Sequence, residues 1–322
     1  MIPLRSGPPP RQRGIAAITA ILVVTIATVL AVELLWELNL DVRQTQNLLV
    51  RDSATQIALG AEVWVGDILK RDFEDQDIPY DHLGEDWARD IPPLPVDGGT
   101  VDGALEDMQS RFNLNNLVDK LGRKDPPQFD LFLRLLEVLE LSPDIADAVV
   151  DWLDSNQLPE GIGGAEDDIY TLRDPPYRTA NYFFQSATEL LAVDGIDAEI
   201  FRILEPHVTA LPLTATGDPT RININTATPA VLQALDDSVT TAEVEQWIQD
   251  RVGSPYEEMQ AFWDVAPDDV EQNMQNLLDV GTNFFQLKVI ASLGTTQLSM
   301  YSLLERDATG VSRTRRRTYD AY

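Results

Sequence analysis

Carboxylate and amide side chains, the oxygen ligands that hard cations prefer, are concentrated in two short runs joined by a loop. The residues of the two runs are Asp151, Asp154, Asn156, Glu166, Asp167 and Asp168. The loop, residues 157–165, contains one proline and three glycines. Ca²⁺ takes six to eight oxygen ligands, and two acidic arms joined by a flexible loop can close around one ion. The segment is therefore a candidate calcium site, although its spacing does not fit the twelve-residue EF-hand loop.

A solvated acidic loop is the alternative interpretation of the same segment. The chain of 322 residues contains 24 Lys and Arg against 53 Asp and Glu, which gives a formal net charge of −29. In a chain this acidic, clusters of carboxylates arise from composition alone. The residues by themselves leave both interpretations open.

Composition and motifs argue against several classes of function. A surface this acidic should repel nucleic-acid phosphates. The chain has no cysteine, which excludes disulfides, zinc–thiolate sites and a thiol nucleophile. The two histidines, His82 and His207, are far apart in the sequence, and no metalloprotease, nucleophile-elbow or phosphate-loop motif is present. We therefore expect that the protein is not an enzyme.

The N-terminal region predicts a membrane anchor. Residues 1–14 contain three arginines and no acidic residue, and residues 15–32 contain no charged residue. Eighteen residues of helix span about 27 Å, close to the hydrocarbon thickness of a bilayer. The arginines before the helix fit the positive-inside rule, which keeps the basic end in the cytoplasm while the rest of the chain crosses the membrane. A buried core helix is the alternative.

The boundary between the basic leader and the apolar helix resembles that of type IV prepilins. A secretory signal would place a small-residue cleavage site after the apolar run, but residues 33–37 are Glu-Leu-Leu-Trp-Glu. The clean break lies before the run, between Gly14 and Ile15. The resemblance implies that prepilin peptidase cuts after Gly14 on the cytoplasmic face. Ile15 would then be the first residue of the mature chain, with its amino group methylated.

The helical pattern continues beyond the apolar run. There is no proline between Ile15 and Ile78, and apolar residues recur at helical spacing to about Lys70, which would make a helix roughly 80 Å long. Its first part, residues 15–36, is apolar on all sides and predicts a transmembrane segment, whereas its second part is amphipathic. We assign residues 37–104 to the stem helix and the first part of a globular head.

The C-terminal region, residues 281–322, predicts strands of the same head. The segments with apolar and polar alternation are 284–294, 295–308 and 311–319. Residues 72–101 predict at most a further strand or two. Residues 105–280 show helical apolar spacing, and several segments begin with Ser, Asp or Thr caps. The predicted fold class is α+β, with a long N-terminal stem helix packed on a small antiparallel sheet and a large inserted all-helical domain.

One phrase, Arg-apolar-Asn-apolar-Asn, occurs twice in the insertion. It is written RFNLNNL at residues 111–117 and RININTA at residues 221–227. Each copy is followed by a helix, a short Ser/Thr break and a second helix, and Ser142 of the first break corresponds to Ser238 of the second. The pattern predicts two helix-hairpin-helix-like units, in which the asparagines bond local backbone and cap the helix that follows.

The second unit also resembles the helix-hairpin-helix module of membrane-anchored DNA receptors, in the stretches RININTATPAVLQAL and WIQDRVGSPYEEMQAFWDV. That module aims the backbone N–H groups of a glycine-rich turn at phosphate. The corresponding turn here, residues 236–242, is DDSVTTA, with two aspartates and no glycine. We therefore expect no nucleic-acid binding, and a DNA-binding protein of a DNA-uptake or type IV pilus system is the alternative function.

Three features together resemble the GspK family, the large minor pseudopilins of bacterial type II secretion systems. They are the RQRG leader before an apolar helix, the RFNLNNL phrase, and DWLDSNQLPEGIGGAEDDIYTLRDPPYRTAN at residues 151–181. The resemblance covers essentially the whole chain. It implies a pseudopilin head in the periplasm, anchored by one span in the inner membrane, and a helical insertion in that head. It also implies binding to the minor pseudopilins GspI and GspJ, with GspH, and contact with prepilin peptidase and the inner-membrane assembly platform.

The resemblance implies two further expectations. Heads of this family carry calcium, which favours a structural Ca²⁺ at residues 151–168 over a solvated loop. Most pseudopilins have Glu as the fifth mature residue, whose carboxylate neutralises the N-terminal ammonium of the subunit ahead. Cleavage after Gly14 makes Thr19 the fifth residue here. This implies a subunit at the tip of the pseudopilus, which initiates its assembly and helps to drive folded proteins through the outer-membrane secretin.

Overall fold

The computed structural model divides into two units, residues 1–56 and residues 57–322. The described ranges are 13–76, 79–89, 92–214 and 217–320, with side chains from Ile15 onward. The helices are α1 (Arg13–Glu74), α2 (Pro126–Val138), α3 (Asp144–Leu153), α4 (Asp167–Tyr170), α5 (Ala198–Leu204), α6 (Pro229–Gln233), α7 (Thr241–Gly253), α8 (Met259–Trp263) and α9 (Asp268–Met274). The strands are β1 (Leu94–Val96), β2 (Gly99–Asp107), β3 (Phe112–Asn113), β4 (Val208–Thr209), β5 (Ile222–Asn223), β6 (Leu278–Asp279), β7 (Phe284–Leu293), β8 (Thr296–Arg306) and β9 (Ser312–Tyr319).

The described part of the first unit is the N-terminal portion of α1. This helix has no proline to interrupt it and continues to Glu74, four residues beyond its predicted end. The side chains of residues 15–49 are exposed, and this part of the helix is long and apolar enough to cross a membrane, judged by length and composition alone. The predicted long N-terminal apolar helix is therefore confirmed.

The second unit contains a five-stranded antiparallel sheet in the order β1-β2-β7-β8-β9. β7 and β8 pair along most of their length, with Val289 opposite Met300, and β2 pairs with β7 from Gly99 to Asp107. Buried and less buried side chains alternate along much of these strands, because successive side chains point to opposite faces of a sheet. The three predicted C-terminal strands are confirmed, and β1 and β2 are the further strands expected before residue 101.

The part of α1 after residue 56 packs on this sheet. Leu69 is fully buried, and the Glu62 carboxylate accepts a hydrogen bond from the Ser302 hydroxyl of β8 at 2.5 Å. Near the end of the helix, Phe73 lies against Gly310 in the turn before β9. A Cβ at position 310 would lie 2.8 Å from the Phe73 ring, and its φ is +80°, so glycine is required there. Helix on antiparallel sheet is the predicted arrangement of the head.

The insertion between β2 and β7 differs from its prediction in three ways. Two parallel pairs of short strands, β3 with β4 and β5 with β6, lie within it, so it is not all-helical. β2 includes residues 105–107, which the sequence assigns to the insertion. Within the region of helical apolar spacing, residues 182–193 form only a 3₁₀ helix at Ala187–Ala192. The strand pairs join segments far apart in the sequence, and local helical spacing carries no signal for such pairing.

One hydrophobic core extends through both halves of the insertion. In the first half, Phe112 stacks on Phe132, with ring centroids 5.3 Å apart. Arg134 of α2 joins the halves, because its guanidinium donates to the carbonyl oxygens of Ala234 and Leu235, just after α6, at 2.8 and 3.1 Å. These contacts hold the two helix-hairpin-helix-like units against each other as a single body.

Candidate functional site

The acidic segment lies at the junction of α3 and α4. Asp151 is in the last turn of α3, Asp154 follows its last residue, and Glu166 directly precedes α4. These residues are buried, with exposed fractions of 0, 1 and 2 %. Buried carboxylates are costly unless they are paired or bind a metal ion. The three residues therefore need a source of positive charge or of protons.

Several oxygen atoms of this group have no hydrogen-bond partner in the part of the chain that the structure describes. They are Asp151 Oδ2 and both carboxylate oxygens of Glu166. The other oxygen of Asp151 accepts a hydrogen bond from the Glu160 N–H at 2.9 Å, which orients the carboxylate. Buried carboxylate oxygens without donors are suitable ligands for a hard cation.

The pKa values of these carboxyl groups reflect the shortage of positive charge. Burial, together with the charges of Asp151 and Asp154, raises the pKa of Glu166 to about 7. Burial also raises the pKa of Asp151 to about 6, and the charges of Asp154 and Glu160 contribute to this shift. Burial also raises the pKa of Asp154. A divalent cation would favour the ionised form of all three groups.

The other three predicted ligands have different surroundings. Asn156 donates its side-chain amide to Asp154 at 2.6 Å. Asp167 accepts hydrogen bonds from the N–H and the hydroxyl of Thr179, both at 3.1 Å. Asp168 is exposed. The charges of Asp167 and Asp168 contribute to the raised pKa of Glu166. Only Asp151, Asp154 and Glu166 among the six predicted ligands have buried carboxylates, and these three remain the candidate ligands.

Glu160 and Gly164 belong to the same site, although the sequence analysis did not assign them to it. Glu160 lies inside the loop, where its N–H holds Asp151 and its carboxylate pairs with Lys124 at 3.1 Å. A Cβ at position 164 would lie only 2.6 Å from Asp151 Oδ2, so a larger residue would crowd the carboxylate. The three glycines of the loop were the only sequence signal for this close approach.

The two copies of the repeated phrase make matching hydrogen bonds to distant backbone. Asn115 donates to the carbonyl oxygen of Phe184 at 2.9 Å and accepts the N–H of the same residue at 2.8 Å. Asn225 makes the same exchange with Tyr256, with both distances 2.9 Å. Each buried asparagine therefore closes two hydrogen bonds with a segment from another part of the insertion. The phrase is a structural device that fastens each half of the insertion.

The local role predicted for the asparagines is only partly correct. Asn113 accepts the N–H of Asn115 at 3.2 Å, and Asn223 accepts the N–H of Asn225 at 3.0 Å, so the local backbone bonds are confirmed. Asn113 is the N-cap of the short 3₁₀ helix Leu114–Leu117, which follows it directly, but the α-helices that come after each phrase have other caps. Asp125 caps α2, and a threonine at position 228 caps α6. The predicted capping is therefore confirmed for the 3₁₀ helix and wrong for α2 and α6, because other residues separate each phrase from its α-helix.

The leader, residues 1–14, falls outside the described residues up to position 12, and no side chain is described before Ile15. The two histidines have different environments. His82 Nδ1 accepts the N–H of Gly84 at 3.1 Å, whereas His207 Nδ1 lies 2.9 Å from the hydroxyl of Thr228.

Comparison with known proteins identifies the family of this chain. Residues 110–213 and residues 222–281 each match a family described as "Type II secretion system (T2SS), protein K", and together these ranges make up more than half of the chain. The chain belongs to the type II secretion system protein K family. The resemblance found in the sequence is thereby confirmed.

Relatives in this family are similar over almost their whole length. A type II secretion system protein K of Aeromonas hydrophila is 33% identical over 314 residues, which cover 92% of this chain and 93% of that protein. A protein of the same name from Pseudomonas aeruginosa is 35% identical over 316 residues, covering 93% of this chain and 90% of that protein.

A solved structure shows the same fold. It is the crystal structure of the GspK-GspI-GspJ complex from the enterotoxigenic Escherichia coli type 2 secretion system, and the matched chain has a TM-score of 0.76 at 24% identity. The match covers 87% of this chain and 100% of that chain. The predicted pseudopilin fold, with stem helix, antiparallel sheet and helical insertion, is therefore confirmed.

Proposed function

We propose that this protein is a minor pseudopilin at the tip of the type II secretion pseudopilus. In this role it initiates pseudopilus assembly and helps to drive folded proteins through the outer-membrane secretin, as a structural subunit and not as an enzyme. Its family membership across nine-tenths of its length carries the proposal. The pseudopilin fold supports it, because a stem helix on a sheet is an element suited to side-by-side assembly.

The proposed partners are the minor pseudopilins GspI and GspJ, together with GspH. The similar solved chain was crystallised in a complex named after GspK, GspI and GspJ. We place the contact on the stem, residues 38–70, where large apolar side chains such as Val42, Leu49 and Val63 are exposed. Exposed apolar side chains on one element favour a protein or membrane contact over solvent.

The tip position is supported by Thr19 and by the size of the insertion. Thr19 donates its hydroxyl to the carbonyl oxygens of Ile15 and Ala16, at 3.1 and 3.0 Å, so its polar group is satisfied within its own helix. In a subunit with no other subunit ahead of it, a glutamate at position 19 would leave an unpaired carboxylate in the bilayer, at a cost of roughly 2.5–3.5 kcal/mol. The insertion between β2 and β7 is also large, and subunits that carry it would be difficult to pack at close spacing along a shaft.

Cysteine crosslinking tests this position directly, because the chain has no cysteine of its own. Val42→Cys, Leu49→Cys and Val63→Cys should each crosslink to cysteines in the stems of GspI or GspJ. Val252→Cys, which is 81% exposed on α7 of the insertion, is the control and should give no such product. Crosslinks between two copies of this chain at repeated spacing would identify a shaft subunit and would contradict the proposal.

Membrane orientation and processing form a separate part of the proposal. The apolar part of α1 spans the inner membrane once, with the basic leader in the cytoplasm and the head in the periplasm. Prepilin peptidase removes residues 1–14, and the assembly platform of the inner membrane receives the mature chain. Mass spectrometry of the purified protein should find Ile15, methylated, at its N-terminus. A chain that retains Met1, or one cut after the apolar run, would show that the leader was misidentified.

We further propose that the site between α3 and α4 binds a structural Ca²⁺. The residues that would hold it are Asp151, Asp154 and Glu166, because they are buried and three of their oxygens lack hydrogen-bond donors in the described ranges. A bound cation would neutralise these carboxylates and join α3 to α4. By mass action it would stabilise the folded state by about 2.7 kcal/mol at a calcium concentration of 100 times the Kd.

Thermal unfolding with and without millimolar calcium tests this site. Calcium should raise the Tm of the wild-type protein, and the Asp154→Ala/Glu166→Ala double variant should lose the part of the shift that comes from this site. Asp168→Asn is the matched control, because Asp168 is acidic and adjacent but exposed. An equal calcium shift in the wild type and the double variant would rule out the site and leave the assembly function untouched.

A further inference from the structure

A second group of carboxylates lies in the pseudopilin head, away from the insertion. Asp72 is in the last turn of α1, and Asp81 and Glu85 lie in the connection between α1 and β1. One carboxylate oxygen from each residue lies within 4.8 Å of those from the other two. We propose that these three residues bind a hard divalent cation, Ca²⁺ or Mg²⁺, which fastens the end of the stem helix to the head.

Asp81 provides the observation that points to a ligand. It is 1% exposed, and its Oδ2 accepts hydrogen bonds from Arg306 Nη2 at 2.5 Å and from the Thr282 N–H at 2.7 Å. Its Oδ1 has no partner among the described residues, and neither does Asp72 Oδ2. Two buried oxygens without donors therefore belong to the same group of carboxylates, and such atoms require an explanation.

Glu85 is already oriented for coordination. Its carboxylate accepts hydrogen bonds from the Trp87 indole N–H at 2.5 Å, the Gln76 amide at 2.5 Å and the His82 N–H at 3.0 Å. These bonds fix both oxygens of Glu85 in place. Fixed second partners of this kind are typical of carboxylates that bind metal ions.

The net charge of the group is one that a single divalent cation would balance. Arg306 contributes one positive charge, but its Nη1 lies 4.0 Å from Asp72 Oδ2, which is too long for a hydrogen bond. Contacts with the Phe73 and Phe285 rings at 5.2 and 5.1 Å hold the guanidinium at this distance. Three carboxylates and one guanidinium leave two negative charges, which one divalent cation would balance.

The environment of the neighbouring groups agrees with this count. His82 Nδ1 accepts the N–H of Gly84 at 3.1 Å, so this nitrogen carries no proton and the imidazole adds no positive charge to the group. The donors of the group are oxygen atoms without thiolates, which favours Ca²⁺ or Mg²⁺ over softer metals.

Terbium luminescence can detect this site separately from the one in the insertion. Tb³⁺ replaces Ca²⁺ and emits when a nearby indole transfers energy to it, and Trp87 is bonded directly to the ligand Glu85. The Asp154→Ala/Glu166→Ala variant serves as the background, because it lacks the proposed site between α3 and α4. Sensitised emission should persist there, should be displaced by Ca²⁺, and should disappear in Trp87→Phe.

The decisive comparison is between Asp72→Asn and Asp75→Asn in this background. Asp72→Asn keeps the shape of the side chain and should weaken Tb³⁺ binding by roughly tenfold or more, because the charge count of the ligands sets affinity. Asp75→Asn changes an exposed neighbour at the end of the same helix and should leave binding unchanged.

Three results would overturn the proposal. The first is an absence of indole-sensitised emission in the background variant. The second is an equal Tb³⁺ affinity of the Asp72→Asn and Asp75→Asn variants. The third is an Asp72→Asn protein whose Tm exceeds that of the protein with Asp72 by the same amount with and without calcium. The last result would mean that a proton, and not a cation, balances the charge of Asp72. The calcium-induced rise in Tm provides a check that does not depend on luminescence, because Asp75→Asn should keep it and Asp72→Asn should diminish it.

Discussion

Glu62 of α1 and Arg317 of β9 form an ion pair with two hydrogen bonds, at 2.6 and 3.0 Å. The hydroxyls of Ser302 and Thr314 also donate to the Glu62 carboxylate, at 2.5 and 2.7 Å. One glutamate on the stem helix is thus bonded to the edge strand β9 and to its neighbour β8. The side chain of Glu62 is only 10% exposed and that of Arg317 is 32% exposed, so solvent screens the pair only partly.

Glu62→Gln should lower the free energy of unfolding by about 1.5–3 kcal/mol. The amide keeps the size of the carboxylate but replaces charge-assisted hydrogen bonds with weaker ones and leaves Arg317 without its counter-charge. Urea denaturation measures the change. Glu74→Gln is the control on the same helix, because the Glu74–Lys70 pair is 3.5 Å apart and exposed, and it should cost about 0–1 kcal/mol. Equal losses in the two variants would contradict a special role for Glu62.

The contribution of Glu62 should also depend on pH. Burial alone would raise its pKa, but hydrogen bonds from Arg317, Ser302 and Thr314 outweigh burial and lower the pKa below the usual value of 4.5. A carboxyl whose folded-state pKa is lowered stabilises the protein fully above its unfolded pKa and loses this effect as the pH falls through the folded value. The stability difference between the wild type and Glu62→Gln should therefore be constant from neutral pH to about pH 5 and shrink below it. A difference that grows towards acid pH would contradict a lowered pKa of Glu62 in the folded state.

The elements that sequence reasoning predicted well are those with a strong local period. Long apolar stretches without proline specify α1, and alternation specifies β7, β8 and β9. The short strands β3 to β6 have two residues each and exist because distant segments meet. Their parallel partners, such as Phe112 and Val208, are almost a hundred residues apart. No local period encodes such pairs.

The candidate cation sites show the same limit. Asp151, Asp154 and Glu166 lie within one short segment, so a run of acidic residues revealed them. The sequence did not show which members of the run are buried, because hydrogen bonds such as that from Thr179 to Asp167 depend on the fold. Asp81 and Arg306 meet in the head although they are 225 residues apart, and composition gives no sign of that contact.

Asn115→Ala and Asn225→Ala should each destabilise the insertion by roughly 2–4 kcal/mol. Each change leaves a buried N–H and a carbonyl group without a partner, in Phe184 or Tyr256, at about 1–3 kcal/mol per unsatisfied group. The two losses should be similar, because both asparagines make the same exchange of hydrogen bonds. Chemical denaturation gives the magnitude, and hydrogen exchange shows whether the lost protection is in the insertion.

Asn273→Ala is the control for these variants. Asn273 is also an asparagine of the insertion, but it is exposed and its side-chain amide donates to the Asp236 side chain, at 3.0 Å. Its removal should change the free energy of unfolding by no more than about 0.5 kcal/mol. If either buried asparagine behaves like this control, the repeated phrase does not fasten the insertion.

The hairpin between α6 and α7 should not bind DNA, although it resembles a module that does. Some of its backbone N–H groups are already engaged, because the Ser238 N–H donates to Asp236 at 2.9 Å and the Glu243 N–H donates to the Thr240 hydroxyl at 3.3 Å. Burial would raise the pKa of Asp236, but hydrogen bonds from Ser238 and Asn273 outweigh it and lower the pKa. The carboxylate is thus ionised at neutral pH, and its charge would repel a phosphate that approached this turn.

Filter binding with duplex DNA at low salt tests this prediction under the most favourable conditions. Phosphate contacts are much stronger at about 50 mM salt than at about 200 mM, so an absence of binding at the lower concentration argues against a weak electrostatic site as well. Submicromolar binding that falls with salt would restore the alternative function of a membrane-anchored DNA receptor. The hairpin would be responsible only if Asp236→Asn strengthened that binding, because the substitution removes the negative charge that faces the phosphate.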